Sequence, residues 1–261
     1  MALAPERFAQ WIAQHEHPDE KYGWVYQYHP RSDAHSVALC EMILEDLLAV
    51  CDVLRQQALA GSVVYGINYE HAFPLTKKRK SLDLAIGVGT PDTTAKSVAG
   101  IYQGSISSLR LSCESKPTMT EHFQSRPRMF DELSSSHRIV HKGEGQKVIA
   151  AAISVVNIAD TFVSPLRQKS VQLHVAKHKQ PRAAARMIQH LRGLPIRKFL
   201  NAAGFDAYGT IVINCNNRQP AKLHTRLPAP QPGEPDHYET FLNRLSTAYR
   251  KRFGKQASRR R

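Results

Sequence analysis

Asp83, in the run Lys80-Ser81-Leu82-Asp83-Leu84-Ala85-Ile86, and Glu114 with Lys116, in Leu111-Ser112-Cys113-Glu114-Ser115-Lys116-Pro117, have types and spacing that could do chemistry. The two carboxylates are 31 positions apart, each inside an apolar, strand-like run. Side chains alternate along a strand, so Glu114 and Lys116 share a face. If the two runs are neighbouring strands, two carboxylates and an ammonium converge on one spot. Such a group is costly to desolvate unless it is used. Its natural chemistry is to hold Mg²⁺ and activate water against a phosphodiester.

That convergence needs strands over residues 82–88 and 109–113, joined through the turn-rich stretch Gly89-Thr90-Pro91-Asp92-Thr93-Thr94. Before them, Val37, Cys40, Leu44, Leu47, Cys51 and Leu54 form one apolar stripe and predict a helix over 36–59, stopped at Gly61. A strand over 63–69 follows. After the second run, Pro117 is expected to end the strand. Thr120 is expected to cap a helix through Phe130 and Leu133, delayed or kinked by Pro127. The unbroken apolar run 148–159 predicts a strand buried on both faces in mid-sheet. Helices are expected over 5–14, 181–191, 196–203 and 236–253, and a strand over 208–215. The aromatic stretch 22–29 is expected to be packed, and Asn157 to be a hydrogen-bonded core residue.

Strands separated by helices define an α/β fold with a mixed central sheet flanked by helices. The expected organisation is an N-terminal helix and aromatic segment over 1–35, a core over 36–215, a Pro-rich linker over 216–235, and a C-terminal helix with a basic tail over 236–261. With 261 residues, 42% of them hydrophobic, the chain can bury a sizeable core. Its formal charge of +14 calls for a polyanionic partner, nucleic acid before others. Clusters at Lys77-Lys78-Arg79-Lys80 and along the C-terminal tail, through Arg259-Arg260-Arg261, carry much of that excess. The tail is expected to be mobile. The four cysteines show no Cys-x-x-Cys pair, which argues against a structural zinc or a disulfide framework and for a reducing cytoplasm. No apolar run approaches membrane-spanning length.

Ser81-Leu82-Asp83 followed by Cys113-Glu114-Ser115-Lys116 resembles the active-site signature of the PD-(D/E)xK nuclease superfamily, and the longer stretch from Cys113 to His137 is similar to type II restriction endonucleases. The resemblance covers roughly residues 81–165. Leu82 stands where the signature has proline, a position that carries no chemistry. The resemblance implies a restriction-endonuclease-like core. It makes Asp83 and Glu114 metal ligands, with the Ser115 carbonyl a possible third, for Mg²⁺ or in its place Mn²⁺. Lys116 would orient or help deprotonate the attacking water and stabilise charge on the phosphate. A further carboxylate from a preceding helix is expected at Glu45, with Glu41 and Asp46 as alternatives. The implied activity is sequence-specific cleavage of double-stranded DNA by a homodimer.

Lys77, Lys78, Arg79 and Lys80, just ahead of the Asp83 run, and Arg126 and Arg128, just after the Glu114 run, are the expected DNA contacts. For the two arginines a solvated helix face is the competing reading. His122, His137 and His141, spaced by 15 and 4 without thiols, do not make a zinc site. Ser134-Ser135-Ser136 lacks a nucleophile elbow. Two other functions fit the same residues: a repair or junction nuclease, or a non-catalytic nucleic-acid-binding protein with structural carboxylates.

Overall fold

The computed structural model describes residues 2–92, 96–170, 172–177 and 180–254. In chain order the elements are α1 (Ala4–Gln14), β1 (His17–Pro18), β2 (Val25–Tyr26), α2 (Ala34–Val50), α3 (Asp52–Leu59), β3 (Val64–Ala72), β4 (Arg79–Pro91), β5 (Ser97–Val98), β6 (Ile101–Tyr102), β7 (Gly104–Thr118), α4 (His122–Glu144), β8 (Ile149–Asn157), β9 (Thr161–Phe162), a 3₁₀ turn (Pro165–Arg167), β10 (Ala176–Lys177), α5 (Gln180–Leu191), β11 (Ala207–Asn214), β12 (Lys222–Leu223) and α6 (Tyr238–Phe253).

A six-stranded mixed sheet runs in the order β12-β11-β8-β7-β4-β3. β3, β4 and β7 form an antiparallel meander, and β7, β8 and β11 run parallel to one another. The parallel steps are made by crossover helices, α4 between β7 and β8 and α5 between β8 and β11. β8 lies at the centre of the sheet, and all nine of its residues are buried. Ile149, Ala151, Ile153 and Val155 pack with α1, α2, α3 and α6 on one face. Ala150 and Ala152 pack with Met129 and Leu133 of α4 and Met187 and Leu191 of α5 on the other. Two-faced burial explains why this segment reads as one apolar run rather than an alternating one.

The terminal helices share the core with the sheet: Phe8 and Ile12 of α1 and Phe241 and Leu245 of α6 lie in the same cluster as Leu47 and Ile211. Asp46, only 3% exposed, holds them together, accepting from the Ala4 N–H at 2.7 Å, Arg7 at 2.6 Å and the Tyr238 hydroxyl at 2.8 Å. Asn157 is fully buried, donating to the carbonyls of Met119 and Cys215 and accepting from the N–H groups of Ala159 and Cys215. Tyr26 and Tyr28 in the aromatic stretch are buried. α3 stops where expected: Gly61 sits at φ +63, and the Ser62 N–H closes onto the Gln57 carbonyl.

The structure departs from the sequence expectations at several places. The helix over 36–59 breaks at Cys51 (φ −116°, ψ 89°), because Ser246 of α6 reaches the Val50 carbonyl that a continuous helix would have used. Pro117 lies within β7 instead of ending it. α4 begins after Glu121, with no side-chain cap from Thr120, and Pro127 lies inside it. The segment 196–203 is not a helix: Arg197 N–H bonds to Phe205 O and Phe205 N–H to Pro195 O, so bridge pairing wins over helical bonding. Within the Pro-rich linker, residues 222–223 form β12 and extend the sheet edge. Of the expected turn, Gly89, Thr90 and Pro91 instead continue β4, paired with β7, and residues 93–95, like 255–261 of the basic tail, lie outside the described residues.

No described helix is long and apolar enough to cross a membrane.

Candidate active site at the parting of β4 and β7

β4 and β7 pair from Pro91 opposite Gly104 to Leu84 opposite Cys113, and there the ladder ends. One step further the register brings Asp83 opposite Glu114. At this point the backbone N–H of Ser115 donates to Asp83 Oδ2 at 2.7 Å, so a side chain takes over from the ladder. Beyond it β7 pairs only with β8, through Lys116 opposite Ser154 and Pro117 opposite Val155. N–H groups two residues apart on a strand point the same way, so Pro117 lacks its N–H on the side β4 has left. That is why a proline is tolerated inside this strand.

The parting opens a cleft of about 710 Å³, whose lining includes Asp83, Ser115, Lys116, Arg31, Arg128 and Arg167. Glu114 is 4% exposed. Its carboxylate is held between two ammonium groups: Lys80 on one oxygen, and Lys116 Nζ 3.6 Å from the other. Lys80 also donates to Ser136 Oγ of α4 at 2.7 Å. The three residues expected to act together, Asp83, Glu114 and Lys116, are therefore neighbours at one point on the sheet.

Burial and the nearby Glu114 charge raise the Asp83 pKa, against the Ser115 N–H, Lys116 and Lys80, which pull it down. Burial would lower the Lys116 pKa, but Glu114, Asp83 and Glu132 outweigh it and the net shift is upward. Lys116 is therefore an ammonium at neutral pH and a source of positive charge rather than a base. The thiol of Cys113 is pushed well up by burial and by the two carboxylates, so it offers no nucleophile.

Among the described residues no group of three or more His, Cys, Asp or Glu side chains is arranged to hold a metal ion. What exists is a pair of carboxylates in neighbouring register positions, Asp83 on the Ser115 N–H and Glu114 between Lys80 and Lys116. Hard oxygen donors of this number suit Mg²⁺, which keeps several waters and needs only one or two carboxylates. Burial first and the Glu114 charge second raise the Asp83 pKa, and a divalent cation beside Asp83 would favour its charged form. The two carboxylates are of the hard-oxygen kind the implied ion takes, and Glu114 would have to exchange Lys80 for it.

The helix carboxylates do not join the pair: Glu45 binds Arg7, Asp46 fastens the terminal helices, and Glu41 binds Lys96. The acidic groups that line the cleft with Asp83 are Asp33, Glu121 and Glu132. Asp33 accepts from Asn68 at 2.9 Å, Glu121 pairs with Arg167, and Glu132 with Arg128 at 3.3 Å.

The basic run is split. Lys80 enters the site, Arg79 pairs with Glu70 across β3 at 3.2 Å, and Lys77 and Lys78 lie exposed in the β3–β4 turn. That turn packs on the C-terminal end of α4, where the Leu75 N–H reaches the Gly143 carbonyl and a Cβ on Gly143 would strike the Phe73 ring. The cleft takes its α4 residues from the other end of the helix, Ser125 to Glu132. Arg128 lines the cleft, whereas Arg126 is half-buried outside its lining.

Sequence reasoning expected Lys80 as a DNA contact rather than as the partner of Glu114, and missed Arg31 and Arg167 as cleft cations. Lys80 precedes Asp83 by three and was visible only as part of a charge run. The arginines come from loops far away in sequence. His137 and His141 are core residues: His137 packs edge-on to Phe205, and His141 joins the buried Asp206 and Arg197.

No family model matches the chain, and neither a curated protein nor a solved structure is similar to it.

Proposed function

We propose that the chain is a Mg²⁺-dependent endonuclease that hydrolyses DNA phosphodiester bonds, of the PD-(D/E)xK kind and working as a type II restriction enzyme does. The observation that carries this reading is the parting of β4 and β7 at Asp83, Glu114 and Lys116, beside a cleft that Asp83 and Lys116 line. Asp83, Glu114 and the Ser115 carbonyl would hold the ion, with Mn²⁺ able to replace Mg²⁺. When bound, it supplies charge for the scissile phosphate and a more acidic water. Lys116, cationic at neutral pH, orients the attacking water and balances charge gained by the phosphate. Arg31, on the wall of the same cleft, would take a flanking phosphate, and Arg128 and Arg167 would do so on leaving Glu132 and Glu121. Two symmetric cuts in a duplex need two such sites, which favours a homodimer.

One observation favours a second reading, a non-catalytic nucleic-acid binder: Lys80 and Lys116 already balance Glu114 without any metal.

Incubation with long mixed-sequence DNA separates the readings. Discrete bands with Mg²⁺, absent in EDTA, are expected. A smear indicates a nonspecific nuclease, and retarded but intact DNA a binder. Asp83→Asn, Glu114→Gln and Lys116→Ala should each abolish cleavage while keeping the fold and most DNA affinity. A Lys116→Ala protein that cuts at the normal rate would overturn the assignment.

A further inference from the structure

A second groove opens at the other end of the sheet. It is lined by Lys147, just before β8, by Lys198 and Phe199 of the 196–204 loop, and by Arg244 and Lys251 of α6, and it encloses about 1120 Å³. Lys116 pairs with Ser154, seven residues along β8 from Lys147. At 3.3 Å per residue the two sites stand about 23 Å apart.

The groove's carboxylate, Asp206, is 4% exposed on its side chain and is consumed by Arg197 and Arg252. Lys147, Lys198, Arg244 and Lys251 form no ion pair among the described residues. Beside them Phe199 is 68% exposed and Leu200 40%. An exposed aromatic ring among unpaired cations offers a stacking face beside groups that can take phosphates.

The loop that carries Phe199 is fixed, not slack. Its backbone is bridged at Arg197 and Phe205, and the Arg197 side chain, 1% exposed, holds the carbonyls of Gln146 and Leu200 at 2.7 Å and 2.5 Å. The backbone that carries Phe199 is thus held in place, which lowers the ordering cost to a ligand.

We infer that this groove binds a single-stranded nucleic acid, with phosphates on Lys147, Lys198 and Lys251 and a base stacked on Phe199. Charge selects a polyanion, and the exposed ring selects one whose base faces are free, which a duplex does not offer. The inference does not rest on cleavage: the groove shares no residue with the Asp83 cleft.

The test is fluorescence anisotropy in EDTA, where no cleavage is expected, with a labelled oligothymidylate of about 12 nucleotides. Phe199→Ala should weaken binding about tenfold, and weaken binding of a duplex of the same length much less. Lys198→Ala with Lys251→Ala should reduce the slope of log affinity against log salt by about 1.4, at ~0.7 for each phosphate no longer neutralised. All three side chains are exposed, so the variants should melt with the wild type. Single-strand affinity unchanged within twofold in Phe199→Ala would overturn the inference. So would displacement of the oligonucleotide by polyglutamate at equal charge, which would make the groove a site for acidic peptides.

Discussion

Lys80 is the most informative residue to perturb, because it occupies Glu114 in the way a cation would. Lys80→Met keeps the aliphatic stem and removes the charge. Glu114 is 4% exposed, and its remaining partner, Lys116, is 3.6 Å away, so the substitution leaves a buried carboxylate with one long ion pair. Breaking a fully buried pair costs about 3–5 kcal/mol. Here the Lys80 side chain is 24% exposed and Lys116 remains, so the cost should be about 2 kcal/mol. For a chain of this size that is a fall in Tm of about 4–8 °C in EDTA. The freed carboxylate should then bind a divalent cation more readily. With ~10 mM Mg²⁺ and a Kd of ~1 mM, linkage returns about 1.4 kcal/mol. Differential scanning fluorimetry with and without Mg²⁺, on wild type and variant, reads both effects. If the variant melts with the wild type in EDTA, Lys80 is not the counter-ion. If Mg²⁺ raises the Tm of both proteins equally, the ion does not compete for Glu114.

Asp83→Asn keeps an acceptor for the Ser115 N–H and removes a charge whose folded pKa is raised, so stability lost as pH climbs past the ordinary aspartate range should be retained; the variant should melt higher than wild type at pH 7 and the gap should close near pH 3, and a lower Tm at pH 7 would count against the repulsion. His35 and His137 have pKa values lowered to about 4, chiefly by burial, so both are neutral in the fold, and stability should fall as pH drops from about 6.5 toward 4; in His137→Leu that slope in a pH series of urea melts should be shallower. Asp206→Ala strands the buried Arg197 and should cost about 3–5 kcal/mol by the same melts, with little loss denying the network its role. Arg31→Ala should flatten the salt dependence of duplex binding in Ca²⁺ by about 0.9, whereas Lys77→Ala with Lys78→Ala, remote from the cleft, should change it less; the reverse order would move the duplex to the β3–β4 turn.

The sequence carried the strands of the site and their partners well. A run such as 148–159 has no polar alternation because both faces are covered, and Glu114 and Lys116 share a face by the strand period alone. What could not be read was decided by tertiary contacts. The stripe through Val37 and Leu54 continues across Cys51, yet Ser246, nearly two hundred residues later, takes the carbonyl that ends the helix. Residues 196–203 have helical spacing, but the buried Arg197 fixes them as a loop. Lys80 read as one of four expected DNA contacts, and only the approach of α4, with Ser136, to β4 turns it to Glu114. Glu45 had the right chemistry on the right helix, but the helix phase turns it to Arg7.

Asp46 makes the order of synthesis matter. Its carboxylate accepts from Ala4 and Arg7, 42 and 39 positions before it, and from Tyr238, 192 after it, so a nascent chain with α1 and α2 has two of its three partners until Tyr238 emerges. Pairings of such sequence separation are the slow ones in folding. Until then the sheet face beneath α6 stays uncovered, and its apolar residues Ile211 and Ile213 are open to other chains. Covering that face therefore waits on α6, whose Phe241 and Leu245 join the same core.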